Sequence, residues 1–541
     1  MPRLAAAIVL TGLTLLGSCG QSKAVRAPCP AGQLCFDFGN GAEPISLDPH
    51  KMTGTWENRI ADDMLIGLTE DDPSGRPVPG MAKSWSTSAD GKVWTFHLRD
   101  ANWSDGVPVT ADDFVFSFRR ILNPATGSEY ASLLYFIKNA EAVNSGKVPL
   151  TALGVRAIDP HTLEMTLVHP APYLLELAKH QTMLPVPKHV VEKWGDAWSR
   201  PEHYVGNGPY RLVFWRIGDH INLVKNPGYW DAARVCFDQI NYYPTSDAIS
   251  AERQVRRGEL DANGRVEANR VAFLRRPDQA PQYVRVHTYL GVNYLAFNSK
   301  DVPAFKDVRV RRALDMAIDR DFIANKLDQG VFQAAYTFVP PGVANYVQAS
   351  PPVWASWPLA RRQAAARMLL AQAGYGPGHP LNIEMKHSNA TSSLQTMPSI
   401  QSDWRAIGVK TTLIQEETQI GYQDDRLRNF QVTSAAWIAD YNDAMSFLYL
   451  NQSSTGAQNY GDYNNPVYDA LLAKADNEPD IAKRAVLLQQ AEQIILRDAP
   501  IAPYTFRANT NLVSPKITGW VDNIVDIHPS QYLCVKGMRG H

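Results

Sequence analysis

The alternation in Val93-Trp94-Thr95-Phe96-His97-Leu98-Arg99, apolar and polar side chains changing places at every step, predicts a strand with one face buried. Ser88-Ala89-Asp90-Gly91-Lys92 precedes it as a hairpin turn, with a glycine where positive φ is needed. Phe36-Asp37-Phe38 opens an earlier strand, after an irregular lead over residues 21–34. Residues 57–68 repeat at helical spacing, with Ile60, Met64, Leu65 and Leu68 on one face. Thr110-Ala111-Asp112-Asp113 caps a helix that runs through Phe114, Phe116, Phe118 and Ile121. Residues 162–167 form another strand.

Further along, residues 308–324 read as one helix, with Val310, Ala313, Leu314, Met316 and Ala317 inward. Residues 359–373 are a helix closed by Gly374. A strand at 381–385, a helix at 394–406 and a strand at 409–414 follow, the order of a separate α/β lobe. An amphipathic helix over 481–498 packs on that lobe. Before that helix, Phe430 to Ala436 is strand-like and runs into Trp437-Ile438-Ala439-Asp440-Tyr441-Asn442-Asp443. A carboxylate at such a strand exit either caps the following turn or meets a cation from outside, and spacing alone does not choose.

At 541 residues the chain exceeds one core, and two or three domains are expected. The formal net charge of -1, with no basic stretch, excludes a nucleic-acid partner. The 22 Tyr and 13 Trp suit either a ligand cleft or an ordinary large α/β core. Residues 1–18 have the positive start and short apolar run of a targeting segment, too short to span a bilayer. Leu16-Gly17-Ser18-Cys19 resembles the bacterial lipobox, in which Cys19 is lipidated and becomes the mature N-terminus; plain secretory cleavage nearby is the alternative. Export permits disulfides. Cys29, Cys35, Cys236 and Cys534 allow three pairings, of which Cys29–Cys35 with Cys236–Cys534 fits the spacing best.

Catalytic signatures are missing: there is no G-x-S-x-G, no H-E-x-x-H and no phosphate loop, so no enzyme is expected. The cysteines lack C-x-x-C spacing and clustered histidines, so neither metal nor cofactor is expected.

Several segments act together as a signature. Ala82-x-x-Trp85-x-x-Ser88-x-Asp90-Gly91 leads to Thr95-Phe96-x-Leu98-Arg99, and Trp103-Ser104-Asp105-Gly106-x-Pro108-Val109-Thr110-Ala111-x-Asp113-Phe114 follows. Val186-Pro187-Lys188, Asn207-Gly208-Pro209-Tyr210, Asn226-Pro227-x-Tyr229-Trp230, Asp307-Val308-Arg309-Val310-Arg311 and Trp437-x-Ala439-Asp440-Tyr441 complete it. The set closely resembles family 5 of bacterial extracellular solute-binding proteins, the receptors of oligopeptide and dipeptide ABC importers.

The resemblance implies an α/β, two-lobed periplasmic-binding-protein fold (type II, cluster C) with an extra domain packed on lobe I. Lobe I is expected over 28–65, 190–289 and 508–541, the extra domain over 66–189, and lobe II over 290–507. The implied partners are an oligopeptide, the membrane permease of an ABC importer and a lipid anchor, for a monomer held in the periplasm. Peptide backbone is expected to add to Gly54-Thr55-Trp56 in lobe I and to Ala436-Trp437-Ile438 in lobe II. Asp440 matches the acid that pairs with the ligand ammonium, and Tyr130 a tyrosine lining the cleft. Arg426 and Lys300, with Arg428 beside them, lie near the register of the basic groups that hold the ligand carboxylate. Departures are Asn263-Gly264, where relatives place an aromatic, and Ser393 and Ser434, where they place basic groups. Murein peptides, haem, nickel chelates and opine-like solutes are the alternatives on this scaffold. An exported peptide or cell-wall hydrolase and a purely sensory lipoprotein are the alternatives outside it.

Overall fold

A computed structural model describes residues 27–538. The targeting segment and Cys19 lie outside them. Among the described residues no helix is long and apolar enough to cross a membrane.

The framework is one 11-stranded sheet. Its main strands, in chain order, are β1 (Cys35–Gly41), β2 (Tyr210–Arg216), β3 (His220–Lys225), β4 (Gln239–Pro244), β5 (Ala262–Asn263) and β6 (Val284–Phe297). They continue with β7 (Asn382–Ser388), β8 (Lys410–Glu416), β9 (Val432–Ile438) and β10 (Ile501–Val513). The spatial order is β8-β7-β9-β6-β10-β5-β1-β4-β3-β2, and the short strand Gln333–Ala334 adds to β10. The 14-residue β6 and 13-residue β10 pair antiparallel through the middle of the sheet and carry the chain from one side to the other. Their register breaks between Thr288 and Val292, where Tyr289, Leu290 and Gly291 face the single residue Arg507. A bulge of this kind bends and twists a ladder locally. The bulge stands at residues 289–291 and 507, beside the expected bounds of lobe II.

Buried apolar residues divide around that bulge. One cluster takes Phe36 to Tyr242 with Ala262 and the C-terminal Val513 to Leu533. Two others lie within 290–506. A fourth joins Tyr243 to Ala280 with Val331 and Leu512, so the chain near residue 331 leans across. Residues 66–189 have their own four-stranded sheet, in the order Ala82–Thr87, Val93–Leu98, Thr162–Thr166, Val155–Asp159. They share the first core rather than forming a separate one.

The helix expected over 57–68 runs instead over Thr55–Met64, and Leu65 turns extended. The cause is distant in sequence. Asn207 accepts from Ile66 N (2.9 Å) and donates to Ile66 O (3.0 Å). A Cβ at Gly208 would sit 2.5 Å from the Met64 carbonyl carbon, so only glycine permits the approach. The Asn207-Gly208 motif is therefore a clamp on this chain reversal. The helix expected over 308–324 breaks at Ile318, because Asp319 caps a new turn and Arg320 is drawn inside to pair with Asp315. Cys29 is bonded to Cys35 and Cys236 to Cys534, the latter across 298 residues.

Candidate ligand cleft

On one side β9 pairs with β6 along its whole length, from Val432↔Phe297 to Ile438↔Gly291. On the other side β7 meets it only at Val432 and Thr433. From Ser434 to Ile438 that edge has no partner strand among the described residues. Ala439 N donates inward to Leu290 O (2.9 Å). Because backbone groups alternate along an antiparallel strand, the N–H and C=O of Ala436 and Ile438 then point to the open edge. Both residues are exposed, Ile438 by 38%. Such an edge is a template for an added strand.

Trp437 is turned the other way. Its Nε1 donates to Ser446 O (2.7 Å) and its ring meets Tyr449 edge-on at 5.9 Å. It braces the corner rather than offering a contact. Three residues on, Asp440 N donates to Ser446 Oγ (3.2 Å), but the carboxylate accepts no hydrogen bond and faces no cation within 4.0 Å among the described residues. Burial alone raises its pKa to about 7. Its charge reaches Tyr130 and Tyr449, whose hydroxyls are pushed above their ordinary value first by burial and then by Asp440. Tyr130, from the 66–189 segment, therefore stands by the Asp440 corner. Tyr441, stacked on Tyr173 at 5.0 Å, ties the same two segments together.

Below this corner a cleft of about 760 Å³ extends along β9. Ser434, Ala436, Asn293 and Arg507 line its sheet side, Gly264 and Arg265 one flank, and His387, Ser393 and Asp425 the other. All three places of departure line it: Gly264 where an aromatic was expected, and Ser393 and Ser434 where basic groups were. Asp425 accepts from Thr433, and burial raises its pKa to about 7.

The lobe I segment does not supply the expected edge. Thr55 and Trp56 begin a helix, and only Gly54 is extended. Gly54 N donates to Glu57 Oε2 (2.9 Å), and Gly54 O accepts from Glu57 N and Asn58 N. The buried Glu57 carboxylate also gathers Ile45 N, Ser46 N and Thr53 N, so these backbone groups are spent on the helix cap. Arg426 and Lys300 are exposed and neither lines the cleft. Arg428, at φ +60°, pairs with Asp462 (3.0 Å) and donates to Gly456 O (2.9 Å), a structural clamp. Two arginines line the cleft instead: the exposed Arg265, which pairs with Glu267 (3.0 Å), and Arg507, at the expected end of lobe II. The signal for Arg507 was a lone arginine in β10, directly after the largely apolar run Ile501-Ala502-Pro503-Tyr504-Thr505-Phe506. A knot of His287, Asp526 and His528 has metal-like spacing. Asp526 accepts there from Asn511 (2.7 Å) and His528 (3.1 Å), with His287 at 3.3 Å, so hydrogen bonds and ion pairing satisfy it without a metal.

The comparisons decide the family. The model of bacterial extracellular solute-binding proteins, family 5, matches residues 76–459. The chain belongs to that family. It is 38% identical over 538 residues to the periplasmic oligopeptide-binding protein OppA of Salmonella typhimurium, covering 96% of this chain and 97% of that one. Among solved structures, the unliganded open form of the murein tripeptide-binding protein MppA superposes with a TM-score of 0.81 at 33% identity, covering 93% of this chain and 98% of that one. Haemophilus influenzae OppA in complex with the peptide RPPGFSPFR gives 0.79 at 33% identity, covering 93% and 99%. The family fold is thus the expected α/β periplasmic-binding-protein architecture, and its members bind solutes rather than transform them.

Proposed function

We propose that this protein captures oligopeptides outside the cytoplasm and hands them to an ABC importer, held at the membrane through a lipidated Cys19. One observation carries the reading: the free edge of β9 ends at a desolvated carboxylate that has no internal cation. A peptide adding to Ala436 and Ile438 satisfies that edge with backbone hydrogen bonds, indifferent to side chains. Its α-ammonium supplies the charge that Asp440 lacks, at the point where closure would otherwise leave an unpaired buried charge costing several kcal/mol. Tyr130 and Tyr449 shield the pair from water. The peptide-binding names of the relatives above support the same substrate class.

Closure follows from the topology. Among the described residues only β6 and β10 carry the chain between the sides, and their ladder is interrupted opposite Arg507. A ligand touching both sides favours the closed arrangement by its differential affinity, and no chemistry is required. Native mass spectrometry of freshly purified protein tests the function. Peptide adducts that vanish on denaturation are expected. Release of haem, a nickel chelate or another non-peptide solute would contradict it.

A further inference from the structure

None of His287, Asp526 and His528 lines the cleft, and separate segments bring them together. His287 comes from β6 just before the bulge, and Asn511 beside it from β10. Asp526 and His528 come from the C-terminal segment, whose Ile524 O accepts from Leu290 N (3.2 Å) at the bulge itself. Hydrogen bonds and ion pairing satisfy Asp526, but the two imidazoles are placed for more than that. His287 Nδ1 stands 3.2 Å from Thr288 O, a carbonyl that can only accept. The neutral ring therefore carries its proton on Nδ1, and the Nε2 lone pair turns toward Asp526 Oδ1. A backbone carbonyl that engages one nitrogen and frees the other is the usual support of a metal-ligating histidine. His528 is fixed by the Trp520 ring, stacked on it at 3.8 Å, with its Nε2 3.1 Å from the same oxygen. Asp526 is held at φ +55°, an uncommon conformation for a residue with a side chain, which persists where its surroundings determine it.

We infer that His287 Nε2, Asp526 Oδ1 and His528 Nε2 form a binding site for a divalent transition-metal ion such as Zn²⁺, with Asn511 as a fourth ligand. The three ligand atoms lie within 4.8 Å of one another. A tetrahedral zinc ion with bonds of about 2.0–2.1 Å has ligand-to-ligand edges of about 3.3–3.4 Å. The two edges at Asp526 Oδ1 measure 3.3 and 3.1 Å. Two imidazoles and a carboxylate suit zinc and its neighbours rather than calcium or magnesium, which take oxygen ligands. Asn511 Nδ2 lies 2.7 Å from Asp526 Oδ1 and 3.5 Å from His287 Nε2, and half a turn of its amide brings the carbonyl oxygen to that place. The side chains of His287 and Asp526 each keep 10% of their surface exposed, which leaves an ion a way in. The hydrogen-bonded knot is then the metal-free form, in which protons hold the lone pairs that a metal takes. Of the charges around it, Asp71 is paired with Lys179 and Asp522 with Arg285. Arg59 opposes a cation, but Asn40 Oδ1 (2.8 Å) and the Phe38 ring draw it aside. A metal here ties the C-terminal segment to both strands that cross between the sides, whatever the cleft binds.

Calorimetric titration with zinc chloride tests it, on the full chain purified without a histidine tag and stripped with EDTA. The wild type is expected to bind one Zn²⁺ per chain at micromolar concentrations. His287→Gln and His528→Gln each keep a side-chain donor for Asp526, and each is expected to weaken binding at least about tenfold, the smallest loss usual even for an outer partner of a metal. His189→Gln, at an exposed histidine paired with Asp105, should leave it unchanged. Circular dichroism shows that each variant is folded before it is titrated. X-ray absorption at the zinc edge should show two imidazole ligands in the wild type, a readout that needs no variant. Zinc should also raise the Tm of the wild type and leave that of the two knot variants where it was. Absence of binding at submillimolar zinc overturns the site, and so do affinities that survive both knot substitutions or a bound ion with fewer than two imidazoles. Loss of binding in His189→Gln places the ion on the surface and overturns it equally. Peptide affinity enters none of these measurements, so the site stands or falls separately from the function proposed above.

Discussion

Asp440 and Asp443 lie three residues apart on the same corner, and they have opposite fates. Asp443 is buried and answered: Arg484 grips it with two bonds of 2.7 and 2.9 Å, and it accepts from Met445 N at 2.8 Å to cap the next turn. Asp440 is desolvated and unanswered. A carboxylate whose charge is matched inside the fold is architecture, while one left unmatched at a strand edge is aimed at something that arrives. The turn-capping role that the sequence offered for Asp440 belongs to its neighbour.

The contrast makes the Arg484 pair the place of greatest stability cost. Arg484→Met strands a buried carboxylate and is expected to destabilise the protein by about 3–5 kcal/mol in urea unfolding. Asp440→Asn should cost nothing at pH 8, where the wild type holds an uncompensated charge. Comparable losses in both variants would erase the distinction between the two acids.

A smaller effect concerns protons. The folded-state pKa of Asp440, about 7, lies above its ordinary value of 3.8. Between roughly pH 4 and 7 the empty folded protein therefore holds a proton that the unfolded chain has released. Stability from this carboxyl is present at low pH and declines as pH rises through that window. A ligand ammonium restores the ionised form, so binding should release close to one proton at pH 6 and almost none at pH 8.5, and affinity should weaken on acidification. Tyr130 and Tyr449, the titratable neighbours, stay neutral throughout because burial raises both. Calorimetry in two buffers of different ionisation heat reads the proton count. Zero release at pH 6 would mean that the carboxylate does not meet the ligand's charge.

Local signals carried much of the fold. The helix Ile481–Asp498 and the strand Val93–Leu98 stand where periodicity places them, and Thr110 and Asp113 form the capping box at Ala111–Ile121. What the sequence hid is set by partners far along the chain. Nothing near Met64 announces that Asn207 will take up the backbone of Ile66 and end the helix. Nothing near Gly54 announces that Glu57 will consume its N–H. The choice between Asp440 and Asp443 depends on Arg484, 41 residues beyond Asp443. The open edge of β9 was legible only as a strand, because its freedom comes from β7 leaving it after two residues.

The central claim is that Asp440 is the partner of a ligand ammonium. Titration calorimetry of a binding peptide and its N-acetylated form, on the wild type and on Asp440→Asn, tests it most directly. The wild type should lose about 2–5 kcal/mol of binding free energy on acetylation, the range for breaking a buried charge pair, and the variant should bind both forms with nearly equal, weak affinity. Equal affinity of the wild type for the two peptides, or a full acetylation penalty in the variant, would contradict the account.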